Sequence, residues 1–188
     1  MLSRVSKSGV WVISGPSGVG KGTVCQRLRA AHPEAFYSVS MTTRPPRPGE
    51  VDGLHYRFVS VEQFRDLIEK GELLEWAVVH GTNYYGTPRQ AVLDAVDDGR
   101  QVVLEIDLQG ARQVKQNLPE AKLVFLTPPS WDELVHRLEG RGTEDADTQQ
   151  RRLATAKIEL DAIAEADHVL ENADLEDTVR SLVSLLGL

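Results

Sequence analysis

Residues 10–23 read Val-Trp-Val-Ile-Ser-Gly-Pro-Ser-Gly-Val-Gly-Lys-Gly-Thr. Gly15, Gly20 and Lys21 stand at the spacing of a loop that cradles nucleotide phosphates. Glycines let successive backbone N–H groups turn inward, and leave nothing in the path of an approaching phosphate. The helix that must follow adds free N–H groups and the positive end of its dipole. Lys21 adds a mobile full charge for the outer phosphates. The strict pattern places Ser or Thr directly after the lysine; here Gly22 comes first and Thr23 second.

Four further groups of residues could act on the same ligand. Ser40-Met-Thr-Thr-Arg44-Pro-Pro-Arg47-Pro-Gly-Glu50 holds two arginines in a proline-stiffened stretch. Arginine forks grip phosphate, and a rigid loop lowers the cost of ordering. Solvated loop arginines are the plainer explanation. Tyr56, and Tyr85 in Asn83-Tyr-Tyr-Gly86, offer neutral donors and ring walls, or simply pack a hairpin. Glu75 lies inside the apolar run Leu73-Leu-Glu-Trp76, so it either meets donors or faces water at a strand edge. Asp107 follows the apolar run 102–106, where phosphoryl-transfer enzymes keep an acid for Mg²⁺; helix capping is the alternative. Arg137, Arg141, Arg151 and Arg152 flank a polar stretch at 139–150, as lid arginines would, or pair with nearby Glu139, Glu144 and Asp145 on the surface.

The totals constrain what these groups can serve. A chain of 188 residues, 41% hydrophobic and 26% charged, suits one compact domain. Its net charge of −7 disfavours nucleic acid or an anionic membrane as a general partner, so an anionic ligand must meet a local cluster of cations. The single cysteine, Cys25, excludes an internal disulfide and fits core packing in a reducing compartment. The five histidines show no metal-ligand spacing, and neither a signal peptide nor a membrane-length apolar run is legible; a cytoplasmic protein is expected.

The elements that position these groups follow from the patterning. Strands are expected at 10–14, 36–40, 54–59, 73–79, 102–106, 123–126 and 168–171, alternating in most of the chain with helices at 21–31, 61–70, 88–99, 109–117, 130–138, 150–165 and from Asp174 onward. Ser60-Val-Glu-Gln63 and Thr87-Pro-Arg-Gln90 both read as capping boxes. The fold class is α/β: a P-loop core with a parallel sheet flanked by helices. The strand-rich stretch at about 36–87 breaks the rhythm as an inserted lobe, leaving 1–35 and 88–188 as the core and 139–150 as the lid.

The chain resembles guanylate kinases along nearly its whole length. The resemblance rests on residues 14–21 and 38–50, Tyr56, Glu75-Trp76, Asn83-Tyr-Tyr-Gly86, Ile106-Asp-Leu-Gln-Gly110 and Arg137-Leu-Glu-Gly-Arg-Gly142. It implies transfer of the γ-phosphoryl group of ATP to GMP, and to dGMP, with Mg²⁺. It places Gly15, Pro16, Ser17, Gly18, Val19, Gly20, Lys21, Gly22, Thr23 and Asn172 against ATP. On the GMP side it places Arg44, Arg47, Tyr56 and Tyr85 against phosphate, and Ser40, Glu75 and Thr87 against guanine, with Glu50, Glu105 and Asp107 beside them. Lys21, Arg44, Arg137, Arg141 and Arg152 carry the catalytic charge. Thr23 and Asp107 are the metal candidates, directly or through water. Two departures stand out: Gly22-Thr23 where the family commonly has Ser after the lysine, and Glu105 where it commonly has Asp. Monomer and homodimer both remain open, as do two alternatives: another nucleoside monophosphate kinase, or a non-catalytic phosphopeptide-binding module of this shape.

Overall fold

The computed structural model describes residues 8–79, 82–139 and 146–188. The apolar runs form a five-stranded parallel sheet: β1 (Val10–Ser14), β2 (Phe36–Tyr37), β7 (Val102–Glu105), β8 (Lys122–Thr127) and β9 (His168–Glu171), in the order β2-β7-β1-β8-β9. Helices cover both faces, which is why its strands are apolar throughout rather than alternating. On one face Val10, Val12, Val102, Leu104 and Leu123 pack with Val92 and Ala95 of α3 (Arg89–Asp97) and Ala111 and Val114 of α4 (Leu108–Asn117). On the other, Ile13, Val103, Val124 and Leu126 meet α1 (Lys21–Ala31) and α7 (Leu175–Leu186). Residues one apart on a strand therefore serve opposite cores, as a pleat requires.

A second, four-stranded sheet carries the insert. It comprises β3 (Met41–Thr42), β4 (Arg57–Phe58), β5 (Leu73–Val79) and β6 (Asn83–Pro88), in the order β4-β3-β6-β5. Helix α2 (Val61–Glu69) packs under it, closed by the full capping box of Ser60 and Gln63. The remaining helices are α5 (Trp131–Glu139), whose Ser130 hydroxyl accepts the Glu133 N–H, and α6 (Ala146–Asp161), ending in a 3₁₀ turn at Ala162–Glu165.

Three expectations need correction. Residues 36–37 lie in the core sheet, paired with Val102 and Val103, and not in the insert. Asn83-Tyr-Tyr-Gly86, where no strand was expected, lies in a central strand bonded to both β5 and β3. The expected capping box at Thr87 does not form: Pro88 occupies the cap and the Thr87 hydroxyl is used elsewhere. Among the described residues, no helix is long and apolar enough to cross a membrane.

Candidate active site

The loop after β1 turns through left-handed glycines, with φ +144° at Gly15, +86° at Gly18 and +99° at Gly20. A side chain at Gly15 would strike the Leu126 carbonyl, and one at Gly20 would come 2.7 Å from the Asn172 amide. Glycine is thus required twice over, by φ and by space. Lys21 Nζ donates to the carbonyls of Gly15 and Pro16, and burial pulls its pKa down against the acids around it, chiefly Glu159, Glu105 and Asp107.

On one side of the loop lies a cavity of about 350 Å³ bounded by Gly18, Gly20, Thr23, Arg137, Asn172, Ala173 and Leu175. Asn172, at the end of β9, is buried and braces the loop: its Nδ2 donates to Val19 O (2.7 Å) and its Oδ1 accepts from the Thr178 hydroxyl (3.0 Å). Arg137 reaches over the same ground, paired with Glu133 at 2.8 Å and touching the Val19 and Asn172 carbonyls at 3.3–3.4 Å.

On the other side two adjoining cavities of about 590 and 330 Å³ share Ser40, Tyr56 and Glu105. At the back of the smaller one Glu75 is buried, its Oε1 accepting from the Thr87 hydroxyl at 2.6 Å. Burial raises its pKa to about 7, and the charge on Asp107 adds to the rise, although Thr87 opposes it. Helix α4 can approach because residue 110 is glycine; a Cβ there would stand 2.9 Å from Glu75 Oε2. Further out, Arg44 is buried and its fork holds Glu50 at 2.7 and 2.9 Å, with Nε on the Tyr85 hydroxyl (3.1 Å) and Nη1 on Pro45 O. Tyr56 lies under the guanidinium, 5.2 Å from its ring centre. The Arg44 fork and the Arg47 N–H hold Glu50 down to about 2, so the pair stays charged at any physiological pH. Four of the five Arg44 donors are therefore engaged, leaving one for a ligand, where the sequence suggested a free fork. Arg47 itself is exposed, and its backbone N–H bonds Glu50 (2.7 Å).

A family model described as guanylate kinase matches residues 7–187. The chain belongs to the guanylate kinase family. It is 60% identical over 174 residues to a guanylate kinase of Streptomyces coelicolor, covering 93% of this chain and 88% of that protein. It is 57% identical over 175 residues to one of Leifsonia xyli, covering 93% and 69%. The crystal structure of guanylate kinase from Anaplasma phagocytophilum superposes with a TM-score of 0.76 at 34% identity, covering 97% of this chain and 86% of that one.

The two departures from the family pattern turn out to be neighbours. A Cβ on Gly22 would sit 3.4 Å from Glu105 Oε1, so the longer acid reaches toward the space beside the smaller residue. The Cys25 thiol lies close to Glu105 as well; burial raises the thiol's pKa, which makes it a packing group and not a nucleophile. Thr23 faces the Asn172 cavity, whereas Glu105 and Asp107 line cavities on the far side of the loop, so the two metal candidates do not converge on one cavity. Asp107 also caps α4, its Oδ1 accepting the Gly110 N–H at 2.7 Å. Arg152 is half-buried on α6; Arg141 and the 140–145 part of the expected lid lie outside the described residues.

Glu159 escaped the sequence reading. It lies beside the Ser17 N–H and Lys21; burial raises its pKa, and its Oε2 is buried with no partner among the described residues. The available signal was spacing: Glu159 is seven residues beyond Arg152, on the same face of α6.

Proposed function

We propose that this chain transfers the γ-phosphoryl group of ATP to GMP, giving ADP and GDP, with the adenine beside Asn172 and GMP in the cavity of Glu75, next to the Arg44–Glu50 pair. The carrying observation is Glu75, a buried carboxylate with one oxygen on Thr87, facing a cavity that adjoins a charged Arg44–Glu50 pair. Guanine presents N1–H and a 2-amino group side by side, which two carboxylate oxygens match. Adenine lacks N1–H and would leave a buried charge unpaired, at a cost of about 1–3 kcal/mol or more.

The acceptor is a phosphate oxygen, largely dianionic near neutral pH since its second pKa is about 6, so no general base is needed. The work is positioning and charge neutralisation. The loop N–H groups and Lys21 hold the donor phosphates. Arg44, Tyr56, Tyr85 and Arg47 hold the acceptor phosphate, and Glu50 keeps Arg44 in place. Arg137 and Arg152, with Arg141 from the lid segment, neutralise the transferring group.

The oxygen donors near Lys21 suit a hard cation: Asp107 has carboxylate capacity beyond its cap bond. Among the described residues no three acids, histidines or cysteines cluster as a protein-built metal site. Mg²⁺ would therefore be held chiefly by phosphate oxygens and water, with Asp107 contributing, and would supply charge neutralisation on the transferred phosphoryl. The lobe on the four-stranded sheet would close over the substrates and exclude water. The buried lone cysteine fits a reducing cytoplasm.

A coupled assay of ADP release with GMP, dGMP, AMP and UMP tests this reading. Turnover is expected with GMP and dGMP; preference for AMP or UMP overturns it.

A further inference from the structure

Strand β5 is the edge of the lobe sheet, and an edge leaves backbone N–H and C=O groups unpaired. Here side chains from the core helix α4 satisfy three of them, at Trp76 and Leu74. The Trp76 N–H donates to Gln113 Oε1 at 3.1 Å, and Gln113 Nε2 donates back to Trp76 O at 2.9 Å. One turn on, Asn117 Nδ2 donates to Leu74 O at 2.7 Å. The spacings match: four helix residues rise about 6 Å, and two strand residues about 6.6 Å. Gln113 and Asn117 thus stand opposite Trp76 and Leu74 with the two directions opposed. The Gln113 carboxamide bonds one residue's N–H and C=O together, as a neighbouring strand would.

Residue 75 lies between the two clipped positions. Its carboxylate lies over the same helix one turn earlier, where a Cβ on Gly110 would come within 2.9 Å of Oε2. Helix α4 is fixed in the core through Ala111 and Val114, both fully buried. The backbone that carries Glu75 is therefore registered against a rigid reference on both flanks. A slip of β5 along α4 would either press Glu75 onto Gly110 or draw it away from the cavity.

The geometry points to Gln113 as a positioning residue for guanine recognition: by clipping Trp76 to the core it sets where the Glu75 carboxylate meets the base. This rests on the reading of Glu75 as the guanine acceptor. Only a carboxamide serves both Trp76 groups. Glutamate lacks the donor and sets an oxygen against the Trp76 carbonyl; leucine offers neither group.

The test uses the full chain with Gln113→Leu, Gln113→Glu and Glu75→Gln. Binding of GMP and IMP is measured by calorimetry, with KM for ATP and the melting temperature alongside. IMP lacks the 2-amino group, so it makes one donor contact to the carboxylate where GMP makes two, and it is less sensitive to misplacement. Both Gln113 variants should weaken GMP about tenfold or more, and IMP less than about threefold, because sub-ångström misplacement acts on the paired contact. KM for ATP should not move. Gln113→Glu is nearly isosteric and decides the matter alone if the leucine variant does not fold. Equal losses for GMP and IMP, or unchanged GMP affinity in a folded variant, overturn the proposal. Glu75→Gln separates the two levels. If it leaves the GMP:IMP ratio intact, the guanine reading itself falls. If it collapses the ratio while both Gln113 variants retain it, only the clip is refuted.

Discussion

Replacing Glu75 by Gln should make the protein more stable and a worse enzyme, with a pH dependence that separates the two effects. Burial raises the Glu75 pKa from 4.5 to about 7. A carboxyl whose folded pKa lies above its unfolded value penalises folding once it must ionise. The penalty is absent below about pH 4.5, grows as pH rises, and is complete above about 7. At about 1.4 kcal/mol per pKa unit it comes to about 3 kcal/mol or slightly more, an upper figure for a side chain that keeps the Thr87 bond. Glutamine is nearly the same size and can still accept from Thr87. Glu75→Gln should therefore match the parent near pH 4 and exceed its stability by up to about 3 kcal/mol at pH 8 in urea unfolding. Binding should move the other way. The amide offers one acceptor and an opposing donor to guanine's two donors, losing at least one charge-assisted bond, for about 10²–10³-fold weaker GMP at pH 8. That ratio should shrink toward pH 5, as the parent's carboxylate protonates; titration of the GMP phosphate cancels between the two proteins. Parallel stability curves from pH 4 to 8 would refute the raised pKa. A binding ratio that does not change with pH would refute the carboxylate as the base reader.

Arg44→Lys should cost at least about tenfold in kcat/KM for GMP while sparing guanosine binding, because an ammonium cannot hold both Glu50 oxygens and Tyr85 while facing phosphate; full activity in the lysine variant would show that a point charge suffices. Gly20→Ala should destabilise the fold by about 1–3 kcal/mol and raise KM for ATP, since φ of +99° and the nearby Asn172 amide both oppose a methyl group; a melting temperature equal to the parent's would contradict the loop geometry. In Mg²⁺ titrations of initial rate, Asp107→Asn, which keeps a cap acceptor for Gly110, should shift the requirement further than Thr23→Ala; the reverse order would make Thr23 the protein's principal contact to the metal.

The parts of this site that were legible in the sequence are those whose chemistry is local. A glycine-rich turn between an apolar run and a helix can be read from spacing alone, because φ and close approach are set within a few residues. The same holds for the caps at Ser60, Ser130 and Asp174, each bonded within its own first turn. What was misread depended on partners distant in the chain. Thr87 resembled a helix cap, but Glu75 across the β5–β6 pair took its hydroxyl, since a buried carboxylate needs a donor more than an exposed helix start does. No strand was expected at 83–86, where Asn and Gly favour turns. The segment is a strand because β3 and β5 flank it, and residue 86 has to be small: a Cβ there would lie 2.8 Å from the Glu75 carbonyl. Glu159 and Gln113 were invisible for the same reason. Neither belongs to a motif, and each acquires its role only when a helix is laid against a loop or a strand whose polar groups are otherwise unmet. Sequence spacing thus reveals the groups that meet the ligand, while those that hold them in place emerge from an account of which backbone and carboxylate groups still need partners once the elements are packed.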